Sequence, residues 1–375
     1  MAHVGQIMQT RDEKRPYTES GLRTMTELQQ RLVPELIDVL TRRYTILRTI
    51  SLLMPVGRRV LAKEMGTTER KLRSEVEFLR EQGLIATSSV GMVLTSEGQQ
   101  LVEELHGYMH EVHDLSTAEL MLARCLDLEG VIAVPGDSDS SELVQKDMGR
   151  AAAHYLKSIL AEGMVLAVSG GTTLAAVAST LVPANFNGQL TVVPARGGMG
   201  EDLSKQAGSI AAKIAAKLNA NYRLLHLPDS LGEKAAAVVA EEPEIREVLE
   251  VARSASILLL GIGAAQAMAR RRHLRPDQLA LLEHVGAVGE TFGYYFNRQG
   301  EIVYVTPSTG LKLEHIKRVG HVIAVAGGSS KAEAMLAVLS YDFPATTLVT
   351  DEGALLEMLK LIERRGGPLA TRRDD

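Results

Sequence analysis

From Gly130 onward, apolar runs of strand length alternate with helical runs, and no other feature restricts the fold of this chain as tightly. The runs are VIAVPG (131–136), MVLAVSG (164–170), LTVVPA (190–195), YRLLHLP (222–228), SILLLGIG (256–263), VIAVAGG (322–328) and TTLVTD (346–351). A strand with one wet face alternates apolar and polar residues, whereas these runs are nearly continuous, as in strands buried on both faces. Helices between such strands imply a parallel sheet covered on both sides. The stretches 288–296 and 302–305 read as a hairpin around residues 297–300.

The first part of the chain has another texture. Residues 1–23 are polar and read as a loose terminus. From Thr26 the residues Leu28, Leu32, Leu36 and Leu40 recur at helical spacing, with Pro34 inside the run. Residues 41–95 then read as three short helices and a β-ribbon. Ile46, Leu47, Ile50 and Leu53 form one face, stopped by Pro55; Val60, Leu61 and Met65 form a second, ended by Gly66. Thr67 or Thr68 can cap a third helix whose inward face is Leu72, Val76 and Leu79. Two short strands follow in 84–95. This is the plan of a winged helix-turn-helix, which needs one buried face and one cationic or polar face on its third helix. The expected division is a winged-helix domain with an N-terminal extension over 1–95, a linker helix over 96–125 and an α/β effector domain over 126–375. Leu101, Leu105, Tyr108, Val112 and Leu115 follow 4-3-4-3 spacing, which suits either a dimerising helix or packing within one chain.

Charge supports a polyanion partner for the head. Residues 41–95 hold 10 Lys/Arg against 5 Asp/Glu, while the whole chain is at −5. Arg70, Lys71, Arg73 and Ser74 fall away from the Leu72–Val76–Leu79 stripe; with Thr68, Arg58 and Arg59 they are the candidate contacts to double-stranded operator DNA. Arg42 and Arg43 are further candidates for the DNA backbone. The lone Cys125 allows no internal disulfide and no cysteine cluster for a metal. No apolar run approaches the length of a membrane span, so a cytoplasmic protein without membrane contact is expected.

Three strand ends carry glycine turns: Ser169-Gly170-Gly171-Thr172-Thr173, Gly261-Ile262-Gly263 and Gly327-Gly328-Ser329-Ser330-Lys331. Glycines let backbone N–H groups approach an anion, and the following helix adds its positive end. Each turn alone is compatible with an ordinary βα connection; Ser/Thr donors in two of them, and Lys331, favour phosphate. Neither matches a dinucleotide or nucleotide-triphosphate motif. Arg196, after the strand 190–195, can hold a second phosphate, and Glu290 can accept from hydroxyls.

The segments AVSGGTT, VVPARGGMGED, QAGSIAAKIA, ETFGYYF and VAGGSSKAEA, with the head sequence TILRTISLLMPVGRRVLAKEMGTTERKLRSEVEFLREQGLI, resemble the SorC family of bacterial sugar-responsive regulators over almost the whole chain. The resemblance implies an effector domain with the fold of sugar-phosphate isomerases, assembly into dimers or tetramers, and repression of glycolytic genes relieved by a phosphorylated sugar, with fructose 1,6-bisphosphate expected. It places effector contacts on Gly171, Thr172, Thr173, Arg196, Gln206, Arg271, Glu290 and Lys331, and implies no catalytic residue, metal or cofactor. The alternative is a sugar-phosphate isomerase with an appended head, whose general base would be Glu290 or, less suitably, Asp229.

Overall fold

The computed structural model describes residues 32–112, 115–198, 202–229, 231 and 233–366, which fall in two compact units divided after position 114. The expected loose terminus and Leu28 lie outside the described residues.

In the first unit, helix α1 (Pro34–Leu53) opens on its proline. At this position the missing N–H costs nothing, because the first amides of a helix have no internal acceptor. Pro34 therefore starts a helix, in which Leu36 and Leu40, but not Leu32, share a single 20-residue element with Ile46, Leu47 and Ile50. Helix α2 (Arg58–Glu64) and helix α3 (Glu69–Glu81) follow, and the Thr68 hydroxyl accepts from Lys71 N at the start of α3. Leu72, Val76 and Leu79 are buried, as their spacing predicts. Strands β1 (Ile85–Thr87) and β2 (Met92–Leu94) pair antiparallel as a wing. Helix α4 (Ser96–Val112) packs against α1.

The expected linker helix over 96–125 is described as α4 and α5 (Leu115–Cys125), which lie in different units. Its heptad positions divide between two cores. Leu101, Leu105, Tyr108 and Val112 pack into the head's cluster around Leu47 and Leu61, whereas Leu115 is buried among the residues of the second unit. Leu101 to Val112 are thus occupied within their own chain.

The second unit is built on seven parallel strands. β3 (Gly130–Val134) leads into α6 (Glu142–Ile159), β4 (Val165–Val168) into α7 (Thr172–Thr180), and β5 (Thr191–Pro194) into α8 (Ala207–Leu218). β6 (Asn221–Tyr222) is followed by α9 (Glu233–Val239) and α10 (Pro243–Arg253), then β7 (Ile257–Gly261). The spatial order is β3-β13-β12-β7-β4-β5-β6, with β12 (His321–Val325) and β13 (Thr346–Asp351) closing one half. Alternate residues face opposite layers. Ala167, Leu258, Leu260, Val322 and Ala324 join one core cluster; Leu166, Val168, Leu259, Ile323 and Val325 join the other. Burial on both faces is what made these strands read as continuous apolar runs.

Two expectations are corrected. The predicted strand 222–228 pairs in the sheet only through its first residues; β6 is an exposed edge, and Leu227 and Asp229 instead bond the turn after β5, Gly198 N to Leu227 O at 2.8 Å and Asp229 N to Gly198 O at 2.8 Å. The stretch 288–296 is not one strand. It folds into β9 (Ala287–Thr291) and β10 (Tyr294–Asn297) around Phe292 and Gly293, both at positive φ (54° and 84°), the twist a two-residue hairpin requires. With β8 (Gly263–Ala264) and β11 (Ile302–Val305) they form a four-stranded antiparallel sheet in the order β11-β10-β9-β8. Helices α11 (Ala265–Arg271) and α12 (Pro276–His284) lie between β8 and β9 in sequence.

Candidate DNA interface and effector pocket

Helix α3 is amphipathic because its apolar residues recur at helical spacing, so its other faces are left to solvent. Arg58, Arg59, Thr68, Arg70, Lys71, Arg73 and Ser74 are all exposed. Arg59 and Arg73 have nearby carboxylates, Glu69 at 3.6 Å and Glu77 at 3.5 Å, in exposed pairs that hold the side chains only weakly. Arg42 and Arg43 belong elsewhere. Both bond Glu75, at 3.3 and 2.9 Å, and Arg43 lies 3.6 Å from the ring centre of Phe78. They tie α1 to α3.

In the second unit, the chain runs from β4 outward to β5 and β6 and then returns to place β7 on the other side of β4. Where strand order reverses, the connections after two neighbouring strands diverge and leave a crevice at their C-terminal ends. The turns 169–173 and 261–263 border it, tied together by Gly261 N to Ser169 Oγ at 3.3 Å. A pocket opens there, lined by Gly171, Thr172, Thr173, Arg196, Gln206, Arg271, Glu290 and Lys331, the whole set of expected effector contacts.

Not every group in it has the expected role. Gly171 N donates to Lys205 O at 2.9 Å, so Gly171, at φ 137°, shapes the turn rather than supplying a free N–H. The first internal bond of α7 runs from Ala175 N to Gly171 O, which leaves the amides of Thr172, Thr173 and Leu174 as the orphan donors of the helix start. The turn 327–331 is no phosphate cradle. Gly328 N donates to Asp351, Ser329 N to Asp137 and Ser330 N to Asp139, at 2.8, 3.3 and 2.7 Å. Such a turn binds whichever anion lies within reach, and here three carboxylates of the fold already do. Burial pushes the Asp137 carboxyl up, but hydrogen bonds from Ser329 and the Asp139 amide, with Lys331 nearby, hold it below its ordinary value. Only Lys331 of this turn faces the pocket; its Nζ donates to Gly327 O at 2.6 Å.

Arg196 and Glu290, which line the pocket, belong with Arg272 and Asp229 to a buried set of two cations and two anions. Arg196 grips Asp229 with two bonds, Nε to Oδ1 at 3.1 Å and Nη2 to Oδ2. Arg272 reaches Asp229 at 2.9 Å and Glu290 at 2.7 Å, and Glu290 also accepts from Gly293 N at 2.6 Å. Side-chain exposure of Arg196 and Arg272 is 6 % each, and of Asp229 2 %. Burial works against the Arg272 charge, but Glu290 and Asp229 hold its pKa above the ordinary value. Arg271, by contrast, is exposed, lines the pocket and has no ion-pair partner among the described residues, whereas Lys331 lies within electrostatic reach of Asp137. The pocket therefore presents a cation at two places, Lys331 and Arg271. Sequence reasoning took Arg270, Arg271 and Arg272 as one basic run and chose Arg271 from it, passing over the buried Arg272, and it missed Lys205, which lines the pocket while paired with Asp202 at 2.6 Å. It also missed Phe292, whose positive φ belongs to a bulky residue that rarely adopts it.

Comparison with known proteins assigns both units. Residues 39–109 match the family model "CggR N-terminal DNA binding domain", and residues 110–360 match "Putative sugar-binding domain". The chain is 45% identical to a central glycolytic genes regulator of Priestia megaterium, over 90% of this chain and 99% of the relative. It is 44% identical to that of Bacillus subtilis, over 90% and 98%. A solved SorC family transcriptional regulator from Enterococcus faecalis is 36% identical, with a TM-score of 0.60, over 65% of this chain and 99% of that one.

Proposed function

The chain belongs to the SorC family of DNA-binding, sugar-responsive transcriptional regulators, and on that premise we propose that it represses glycolytic genes and releases its operator when a sugar bisphosphate, fructose 1,6-bisphosphate, fills the pocket. One observation carries the choice of ligand. The pocket joins the free amides of a helix start, with Lys331 beside them, to a second cation, Arg271, that has no ion-pair partner among the described residues. A ligand with a phosphate at each end meets both. Glu290 and Gln206 also line the pocket, where they can hydrogen-bond the hydroxyls of such a ligand.

The same site favours binding over catalysis. An isomerase needs a general base free to approach a carbon-bound proton. Glu290 already accepts from Arg272 and Gly293, and Asp229 is gripped by two arginines and by Ser308. We therefore take the protein to be a regulator without enzymatic activity, metal or cofactor, acting in the cytoplasm on double-stranded operator DNA as a homo-oligomer. No described helix is long and apolar enough to cross a membrane.

Calorimetry tests the ligand. Wild-type protein should bind fructose 1,6-bisphosphate more tightly than fructose 6-phosphate. Thr172→Ala and Lys331→Ala should each weaken both, by roughly tenfold for every charge-assisted hydrogen bond to phosphate that the variant can no longer make. Equal affinity for the two sugars would rule out the bisphosphate as the preferred effector.

A further inference from the structure

The Arg196–Asp229 pair stands between two cavities. Arg196 lines the pocket, Asp229 lines an adjoining groove, and Gln206 and Arg271 line both. Arg196 is the cation expected to hold a phosphate, yet both of its bonds to Asp229 are already made. An incoming anion that takes the Nε–Nη2 edge of this guanidinium competes with a carboxylate of the protein, and the Nη1 end is already within 3.9 Å of Glu290. The exchange is feasible because Asp229 has other partners: Arg272 Nη1 at 2.9 Å and Ser308 Oγ at 2.7 Å. Losing Arg196 would not leave it a bare buried charge, which is the outcome that makes most such pairs unbreakable.

We propose that Asp229 is a built-in competitor of the effector, so that anion binding at Arg196 exchanges Asp229 for phosphate and loosens the chain that carries Asp229. A dianionic phosphate displaces a single carboxylate from a forked donor, whereas an uncharged or hydroxyl end does not. Asp229 thus selects for ligands charged at this end. It also turns occupancy into movement. Asp229 lies at the end of a segment joined to the turn after Arg196 by two backbone bonds, Gly198 N to Leu227 O and Asp229 N to Gly198 O. Segments 196–198 and 225–229 share the pair at one end and these bonds along their length, so taking Arg196 away strains both. This inference rests on the sugar-bisphosphate reading of the same pocket and adds the residue that regulates it.

The test has two parts. In calorimetry, Asp229→Asn should bind fructose 1,6-bisphosphate roughly tenfold more tightly than wild type, the worth of one charge-assisted hydrogen bond no longer contested. Its affinity for fructose 6-phosphate, held by its single phosphate at the start of α7, should change much less. A folded Asp229→Asn protein with unchanged or weaker bisphosphate binding overturns the proposal. Hydrogen exchange on wild type needs no variant and decides the matter if Asp229→Asn does not fold. Saturating fructose 1,6-bisphosphate should slow exchange in the peptide holding Thr172 and Thr173 and speed it in those covering 196–198 and 225–229. Slowed or unaltered exchange at 196–198 and 225–229, with Thr172 and Thr173 protected, leaves the effector reading standing and removes Asp229 as competitor. If wild type binds neither sugar, the effector reading fails, and the same exchange measurement in inorganic phosphate tests the competition alone: faster exchange at 225–229 supports it and no change overturns it.

Discussion

Arg196 shows how one side chain can carry two roles whose tests interfere. Its guanidinium is buried and completes a neutral set with Arg272, Asp229 and Glu290. Arg196→Ala should destabilise the effector domain by only about 1 kcal/mol, because Arg272 and Ser308 still hold Asp229. Urea unfolding of wild type and variant gives that number, and a loss of about 3 kcal/mol or more would mean that Asp229 depends on Arg196 and cannot release it at low cost. Asp137 gives a second prediction at this scale. Its carboxyl is held below the ordinary value of 3.8 by donors that exist only in the folded state. A depressed carboxylate pKa contributes stability that is complete above the unfolded value and is lost as pH falls through the folded one. The stability gap between wild type and Asp137→Asn should thus be level above about pH 5 and close at lower pH. A gap independent of pH down to about 3 would show that the hydrogen bonds do not depend on the charge. Part of the site was legible from residues alone. Glycine and threonine after an apolar run announce a helix start facing a ligand, and a lysine one turn on announces charge. The occupation of the 327–331 turn by Asp137, Asp139 and Asp351 was not legible, because those acids lie far from it in sequence and meet it only once β3 and β13 are neighbours.

Helices and strands were legible where they obey one period. α3 was read from Leu72, Val76 and Leu79 and its cap, and the buried strands from their length and branching. Elements failed where tertiary contacts decide. The heptad from Leu101 to Leu115 is continuous in sequence, but its two ends enter different cores. The run 222–228 has strand composition, yet its position at an open edge frees it to follow the turn beyond Arg196. Helix α3 itself makes a prediction. Arg70 and Lys71 are exposed and have no carboxylate partner among the described residues, while Arg73 sits 3.5 Å from Glu77. Arg70→Ala should weaken specific operator binding by about 1–3 kcal/mol if it reads a base, and a phosphate contact would instead lower the salt slope by about one. Titration of operator and unrelated DNA at two salt concentrations separates these. Wild-type behaviour of Arg70→Ala and Lys71→Ala on both DNAs would remove α3 as the recognition helix.

At the scale of the whole molecule, the two units have separate hydrophobic clusters and separate chemistries: a helix exposing Arg70, Lys71 and Arg73 with a wing, and an anion pocket at a reversal of strand order. Regulation requires that occupancy of the second change the affinity of the first, and by linkage the DNA must change the affinity for the sugar by the same factor. A ligand acts this way only through a difference in its affinity for the two states of the protein, so tight binding alone is not regulation. The direct measurement is the affinity of the full chain for glycolytic-operon promoter DNA, with and without saturating fructose 1,6-bisphosphate, for wild type and for Thr172→Ala. The sugar should weaken DNA binding by wild type by about 5–150-fold, the usual range of such coupling, and Thr172→Ala should bind DNA normally but need more sugar to release it. Identical DNA affinity with and without the bisphosphate, under conditions where calorimetry shows the pocket filled, would contradict a sugar-released repressor.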